Sequence, residues 1–132
     1  MSERQYAHLK YTTTDGVLVI TITEKELSDY EVCNTLREEL GEAVDQSDNN
    51  KVVLDFSPVE FVASVVFLPL LSLSGKLNRM GGRIVLCNLS EFIADVFLAT
   101  RLLINRHSPD SPFQQEAKVA AAVANLNGTA SD

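Results

Sequence analysis

The sequence has few of the residues from which disulfides, metal sites and catalytic groups are built. Its two cysteines, Cys33 and Cys87, lie in apolar surroundings and match neither a C-x-x-C nor a zinc spacing. We therefore predict two buried free thiols. The two histidines, His8 and His107, stand near opposite ends of the chain among polar residues, so we expect both at the surface without a metal or catalytic role.

The common motifs of catalysis and nucleotide binding are also missing. The chain has no G-x-G-x-x-G after a strand, no G-x-x-x-x-G-K-[ST] and no H-E-x-x-H. A Ser-His-Asp triad would need Ser64 and Asp55 to meet a histidine, and no G-x-S-x-G elbow is present. We therefore expect no catalytic residue, no cofactor and no enzymatic activity.

Positive charge is scarce as well. Eleven Lys and Arg residues stand against 18 Asp and Glu residues, which gives a net charge of −7. Nucleic acids and anionic lipid surfaces bind basic footprints, so this balance argues against both as main partners. The longest hydrophobic stretch, residues 62–73, is too short to span a bilayer, and the first residues lack the apolar segment of a signal peptide. We therefore expect a cytoplasmic protein.

The composition predicts one globular domain. The chain has 132 residues, of which 45% are hydrophobic and 22% are charged, and this is enough to bury a proper core. We expect a single domain over residues 1–132, with its core at about 6–126 and a flexible tail at 127–132.

The N-terminal part predicts a β-hairpin and then a helix. Residues 8–14 and 17–23 are rich in β-branched residues, and the Asp15-Gly16 pair between them is a strong hairpin signal. The second strand is nearly all apolar and should be central, whereas the first is polar and should lie at an edge. Ser28 and Glu31 have the spacing of a capping box, which predicts a helix at about 29–46.

Two short apolar runs, at 52–56 and 83–87, predict strands buried on both faces. A serine follows each run. Ser64 should cap a helix that ends at Gly81-Gly82, and Ser90 should cap the next helix. The buried stripe of that next helix should consist of Phe92, Ile93, Val96 and Phe97.

The C-terminal part predicts a weak strand at 102–105 and a last helix at 112–126. That helix would begin with a second capping box, Ser111-Pro112-Phe113-Gln114. Buried strands that alternate with helices are typical of an α/β fold with right-handed crossovers. We therefore predict a mixed, mostly parallel sheet of four or five strands, with an N-terminal β-hairpin and about four α-helices.

Two residues allow both a structural and a functional interpretation. Asp55 ends a buried strand, where open α/β sheets bind ligands, but aspartate is also common there in local turns, and we favour the turn. Ser64 could simply cap its helix. It could equally carry a phosphate, which a helix N-terminus stabilises, next to an apolar patch formed by Val65 and Leu68. Such a patch would bind a partner when Ser64 is bare and release it when Ser64 is phosphorylated.

The central stretch resembles the STAS domain of the anti-sigma-factor antagonist family over about residues 6–126. The family pattern is an apolar strand ending in Asp or Asn, an aromatic residue, Asp-Ser-[Ser/Thr]-Gly, and an apolar helix ending in Gly-Gly. This chain has VVLDFSPVEFVASVVFLPLLSLSGKLNRMGGRIVLCNLS, and Asp55, Phe61 and Ser64 fall on the pattern. Glu26-Leu27 also resembles the pair that precedes the first helix of the family.

The resemblance implies a regulatory module that binds an anti-sigma factor, which is also a serine kinase of the histidine-kinase-like ATPase type. It places the phosphorylation site at Ser64. Three neighbours depart from the pattern: Ala63 replaces Asp, Val65 replaces Ser or Thr, and Val66 replaces Gly. Ser28 stands where the family usually has an Asp that contacts the kinase.

These departures leave three alternatives open: a divergent kinase partner, a domain that binds its partner constitutively, or a STAS scaffold that self-associates in a larger signalling assembly. A small-ligand or nucleotide-binding STAS domain is a further alternative. The candidate partner-binding residues are Ser28, Asp29, Phe61, Ala63, Val65 and Leu68.

Overall fold

The computed structural model describes residues 6–104 and 111–128, and within them a five-stranded mixed sheet packs against α-helices on both faces. The strands are β1 Leu9–Thr14, β2 Val17–Ile22, β3 Glu26–Leu27, β4 Lys51–Asp55, β5 Phe61–Val62, β6 Arg83–Cys87 and β7 Gln114–Glu116. The helices are α1 Tyr30–Ser47, α2 Phe67–Arg79, α3 Glu91–Ala99 and α4 Val119–Leu126, and a 3₁₀ turn, Ser64–Val66, precedes α2.

The strands of the main sheet follow one another in the order β1-β2-β4-β6-β7. β1 pairs with β2 in antiparallel register, and every other pair in this sheet is parallel. β2 is central and β1 lies at an edge, as their composition predicts. β3 and β5 form a separate, two-stranded parallel sheet. The predicted α/β fold with an N-terminal hairpin is therefore confirmed.

The predicted hairpin turn is also confirmed. Asp15 and Gly16 both have positive φ, at 52° and 77°. Such a pair matches the right-handed twist of the flanking strands.

Side chains of the central strands alternate between two cores. Leu18 and Ile20 of β2 point to the larger core, which α1, α2 and α3 cover. Val17 and Val19 point to the smaller one, where α4 lies across the sheet with Ala122, Val123 and Leu126. The small side chains of α4 allow close packing against a flat sheet, as the alanine-rich sequence suggests.

The Gly-Gly pair that ends α2 has two structural roles. Gly81 has φ at 72°, a conformation that L side chains rarely adopt, and this turns the chain out of the helix. Gly82 lies against the backbone carbonyl of Asn50, so a Cβ at this position would overlap it. The expected helix end is confirmed here.

The predicted capping box at the start of α1 is wrong by one residue. Asp29, with extended backbone angles, is the N-cap, and its carboxylate accepts a hydrogen bond from the Glu31 N–H at 3.2 Å. Ser28 precedes the cap and is exposed. Aspartate is as good a cap as serine, so two adjacent candidates compete, and β3 ends at Leu27 just before them.

The C-terminal prediction is also wrong in its elements. Within the described residues, Leu103 forms only a single bridge, with Phe113, and the fifth strand is β7. The segment predicted to begin a helix at 112 is extended up to Glu116, and α4 begins at Val119. Extended pairing satisfies the backbone groups along the outer edge of β6, and it places the Phe113 ring in the core.

Parts of some predictions lie outside the described residues. These are the last residue of the predicted weak strand, Asn105, the surface position of His107, and the tail from residue 129. Asn127, at the start of the predicted tail, accepts a hydrogen bond from Lys51 Nζ at 3.1 Å and donates one to the Asp15 carbonyl at 3.0 Å.

Candidate functional site

The predicted role of Ser64 as a helix cap is wrong. The residue with extended backbone before the turn is Ala63, and Ser64 is already the first residue of the 3₁₀ turn that leads into α2. The N–H of Val66 bonds to the Ala63 carbonyl at 2.9 Å, so the turn closes without a side chain. Ser64 is exposed, and its hydroxyl has no hydrogen bond to any of the residues 6–104 and 111–128.

The small β3–β5 sheet holds the Ser64 turn beside the start of α1. Leu27 of β3 pairs with Val62 of β5, and the N–H of Ala63 donates to the Leu27 carbonyl at 3.0 Å. Ser28 therefore follows one strand at the point where Ala63 and Ser64 follow the other. Two segments more than 30 residues apart in the sequence meet here, and the chain at Ser28 runs beside the chain at Ala63.

An apolar groove begins at Ser64 and runs along α2. It has a volume of about 700 Å³ and is lined by Ser64, Val65, Phe67, Leu68, Leu71 and Ser72. Leu68 and Leu71 are 45% and 44% exposed. The opposite side of α2 is buried in the larger core through Leu70, Leu73 and Leu77. The helix is thus apolar on two sides, and the described part of the chain buries only one of them. We call this surface the Ser64 groove.

Phe61, another candidate residue, stacks on a residue that the sequence pattern assigns to the core. The rings of Phe61 and Phe92 are nearly parallel, at 14°, with centroids 5.7 Å apart. Phe92 is 49% exposed, so its predicted place in the buried stripe of α3 is wrong. Ile93 and Phe97, four residues apart, fill the core, and a residue directly before Ile93 is turned about 100° away from that direction. The helical period could have indicated this.

Asp55 has the structural role that its sequence context favours. Its carboxylate accepts hydrogen bonds from the Ser57 N–H at 3.0 Å and from Asn88 Nδ2 at 2.8 Å. The hydroxyl groups of Thr21 and Ser57 donate to it at 3.3 and 3.2 Å. The carboxylate therefore ties the ends of β2, β4 and β6 together, and its acceptor positions are occupied by its own chain.

The two cysteines and His8 are buried or hydrogen-bonded within the fold. Burial first, and then the negative charge of Asp55, raise the pKa of the Cys87 thiol to about 12, and burial also raises the pKa of Cys33. Both thiols are free and buried, as predicted. His8 Nδ1 lies 2.7 Å from a carboxylate oxygen of Glu24 and is partly buried.

Among residues 6–104 and 111–128, no three His, Cys, Asp or Glu side chains are grouped as metal ligands would be. In the same residues, no helix combines the length and the apolar character that a bilayer crossing requires.

A cleft of about 660 Å³ lies at the carboxyl ends of the parallel strands. Ser57, Asn88, Ser90, Gln115 and Glu116 contribute its polar lining. In open α/β sheets, ligands bind where the strand order reverses direction. Here β4, β6 and β7 follow β2 in one direction across the sheet. The strand order therefore has no reversal point within the described sheet.

Comparisons with known proteins agree on one fold. Three solved structures resemble the chain. An anti-sigma factor antagonist from Mycobacterium paratuberculosis is 22% identical, with a TM-score of 0.73 over 90% of this chain and 92% of that one. The Bacillus anti-sigma factor antagonist SpoIIAA, in its unphosphorylated form, is 20% identical, with a TM-score of 0.65 over 91% and 98%. A chain of the stressosome, a signal integration and transduction hub, is 17% identical, with a TM-score of 0.64 over 90% and 96%.

At these identities the structural similarities establish the fold alone. Among curated proteins, none matches the sequence. The family model of the STAS domain, in contrast, matches residues 8–110, which is most of the chain. The matched range contains the hairpin, the Ser64 turn and α2. The resemblance noted in the sequence is thereby confirmed, and the chain belongs to the STAS domain family.

Proposed function

We propose that the chain is a regulatory protein-binding module, an anti-sigma-factor antagonist without catalysis of its own. Its partner is an anti-sigma factor that is also a serine kinase of the histidine-kinase-like ATPase type. The observation that carries the proposal is the exposed Ser64 hydroxyl, which has no hydrogen bond among the described residues and lies at the end of an apolar groove. The similarity to anti-sigma factor antagonists of known structure supports it.

The proposed contact surface combines the Ser64 groove with the end of β3 and the start of α1. Its residues are Ser28, Asp29, Phe61, Ala63, Val65 and Leu68. The side chains of Phe61 and Leu68 are 43% and 45% exposed, so a partner that covers them would remove apolar surface from water. Asp29 caps α1 through one carboxylate oxygen, and the exposed Ser28 side chain before it has no hydrogen bond among residues 6–104 and 111–128.

Phosphorylation of Ser64 is the proposed switch. A phosphate would add about −1.5 to −2 charges next to Val65 and Leu68. A partner seated on the groove would have to strip water from that charge, which is costly in an apolar interface. The domain itself would tolerate the phosphate, because the N-terminal end of a helix carries partial positive charge. Binding would therefore be lost while the fold is kept.

The departures from the family pattern bear on the partner rather than on the fold. Ala63 replaces the acidic neighbour of the serine, and its side chain cannot form an ion pair with a basic group on a kinase. Its backbone N–H still bonds to Leu27, so the position of the turn does not depend on the missing carboxylate. We propose a kinase partner that has diverged to match Ala63, and constitutive binding is the alternative that the experiments below distinguish.

The first experiment asks whether Ser64 accepts phosphate. The chain is incubated with ATP and the ATPase-type kinase from its own host, and intact mass is measured. We expect the mass of one added phosphate for the native chain and for Ser72→Ala, and none for Ser64→Ala. Ser72 is the matched control, because it is an exposed serine on the same groove. Phosphate on Ser72, or none at all, would contradict the switch.

The second experiment measures binding to the same kinase. We expect Ser64→Ala to bind as the native chain does and Ser64→Asp to bind at least about tenfold more weakly, because the carboxylate must be desolvated. Equal binding by both variants would contradict the switch and would favour a module that binds constitutively.

A scaffold function is the second candidate, and two observations favour it. The Ser64 groove exposes apolar side chains that a copy of this chain could cover, and the fold is similar to that of a stressosome chain. Size-exclusion chromatography with light scattering tests it. Self-association that Leu68→Asp abolishes would support the scaffold, and a strict monomer at high concentration would contradict it.

A small-ligand or nucleotide-binding function has the least support. The strand order provides no reversal point for a ligand, and Asp55 is occupied by its own chain. We expect a panel of nucleotides to leave the melting temperature unchanged in a thermal-shift assay. A nucleotide that raises the melting temperature in a concentration-dependent manner would support a nucleotide-binding function.

A further inference from the structure

Phe61 and Phe92 form an exposed aromatic pair that the Ser64 groove does not include. Their rings stack with centroids 5.7 Å apart, yet 43% of Phe61 and 49% of Phe92 remain exposed. The residues that follow them, Val62 and Ile93, are buried and anchor the backbone on both sides. The pair is therefore held rigidly at the surface and would lose little freedom on binding.

Carboxylates flank both rings. Glu26 pairs directly with Phe61 in the parallel β3–β5 register, so the two side chains leave the small sheet on the same face, and Glu60 precedes Phe61. On α3, Glu91 precedes Phe92, and Asp95 lies one turn further along the same side of the helix.

All four of these carboxylates are exposed, and none forms an ion pair within the residues that the structure describes. Among residues 24–27, 59–62 and 90–96, Lys25 alone is basic. The surface is thus an apolar centre with an acidic rim, and we call it the phenylalanine pair surface.

This charge pattern limits the kind of molecule that can bind the phenylalanine pair surface. A second copy of the chain would bring the same carboxylates against each other, and both copies carry a net charge of −7. Nucleic acid and anionic membranes are repelled for the same reason. A protein face with an apolar side chain surrounded by Lys and Arg complements both the centre and the rim. We infer that the phenylalanine pair surface docks such a basic, apolar face of the partner protein.

The inference rests on the proposed function and deepens it, because the same partner protein would bind both the Ser64 groove and the phenylalanine pair surface. It adds α3 to the docking surface and makes Phe92 a specificity-determining residue. The acidic rim would speed association and would reject partners with acidic faces, whereas the aromatic centre would hold the complex together.

The test uses a defined probe and needs neither kinase nor phosphate, so it can fail separately from the proposed function. An isotope-labelled chain is titrated with a short amphipathic helical peptide of leucine and lysine, and amide shifts are followed by NMR. A matched peptide of leucine and glutamate is the control probe. We expect the lysine peptide to shift the amides around Phe61 and Phe92, and to bind more weakly as salt is raised.

Variants of the chain sharpen the result. We expect Phe92→Ala to weaken binding of the lysine peptide at least about tenfold, because it removes one of the two rings at the apolar centre. Glu60→Lys, which keeps both rings, should weaken it by about threefold through the rim charge. Met80→Ala should have no effect, because Met80 is an exposed apolar residue at the far end of α2.

Three outcomes would overturn the inference. The first is equal binding of the glutamate peptide. The second is a set of shifts confined to Leu68 and Leu71 of the Ser64 groove, and the third is an unchanged affinity for Phe92→Ala. None of these outcomes would contradict the proposed function, which is tested separately by the phosphorylation of Ser64.

Discussion

Ser90 and Ser64 occupy the same place in two successive strand–loop–helix units, but the structure uses them differently. Ser90 has extended backbone angles, and its hydroxyl oxygen accepts the Ile93 N–H at 3.1 Å, so it caps α3. Ser64 lies one residue further into its helix, because Ala63 takes the extended conformation. Its hydroxyl has no partner among the residues described here.

The difference teaches which serine is free for chemistry. A capping hydroxyl stabilises its helix by about 1 kcal/mol, and a modification there would have to replace that hydrogen bond. The Ser64 hydroxyl contributes no such bond, so a phosphate there would cost the fold little. The helices also differ at the positions three and four residues after the serine: Ile93 of α3 is buried, whereas Leu68 of α2 is 45% exposed.

The largest expected effect concerns the side chains that follow the two serines. Ile93 is fully buried, and we expect Ile93→Ala to lower the free energy of unfolding by about 2–5 kcal/mol through lost burial and a cavity. Leu68 is 45% exposed, and Leu68→Ala should lower it by less than about 1 kcal/mol. Urea unfolding at equilibrium measures both. Equal losses would show that the start of α2 is as structural as α3.

The next effect concerns the hydroxyl groups themselves. We expect Ser90→Ala to cost about 1 kcal/mol of unfolding free energy and Ser90→Asp to cost much less, since aspartate also caps. Ser64→Ala should stay within about 0.5 kcal/mol of the native chain. The same urea titration is the measurement. A loss at Ser64 as large as that at Ser90 would mean that the Ser64 hydroxyl supports the fold.

The smallest effect uses Cys87, which ends the strand that leads to Ser90. In a Cys33→Ala background Cys87 is the single thiol. Burial and the charge of Asp55 raise its pKa to about 12, so it should react with a thiol reagent only when the structure opens. We expect Ser90→Ala to speed labelling by up to about fivefold and Ser64→Ala to leave it unchanged. Equal acceleration by both variants would contradict the distinction between the two serines.

The raised pKa of Cys87 also sets a direction for the pH dependence. Below about pH 7.5, roughly one unit under the ordinary thiol pKa, Cys87 is protonated in both the folded and the unfolded state and contributes no pH dependence. As the pH rises from there towards about 12, the unfolded chain loses the proton and the native chain keeps it, so stability falls. A Cys87→Ala variant in the Cys33→Ala background should lack this part of the fall.

Much of the fold could be predicted because its signals are local. The Asp15-Gly16 turn, the apolar runs of β4 and β6, and the Ser90 cap each depend on residues within a few positions of one another. The β3–β5 sheet could not be predicted in the same way. Each of its strands has two residues, and only their pairing across the fold, Glu26 with Phe61 and Leu27 with Val62, defines them.

The candidate site was predictable in part for the same reason. The strand, loop, serine and apolar helix indicate Ser64, but the missing cap depends on the backbone of Ala63. The stacking of Phe92 could not be predicted, because its partner Phe61 lies 31 residues earlier in the chain and the sequence of α3 does not show that contact.

The amino-acid sequence by itself determined the alternation of buried strands and helices, the hairpin, the acidic charge and the place of a serine before an apolar helix. These follow from side-chain polarity and backbone preference over short distances. Only the tertiary structure decided that the Ser64 hydroxyl has no hydrogen bond within the described ranges, that Phe61 and Phe92 stack at the surface, and that residues 114–116 form a strand. Those outcomes depend on which distant backbone groups and rings come together, and that is settled only when the whole chain packs.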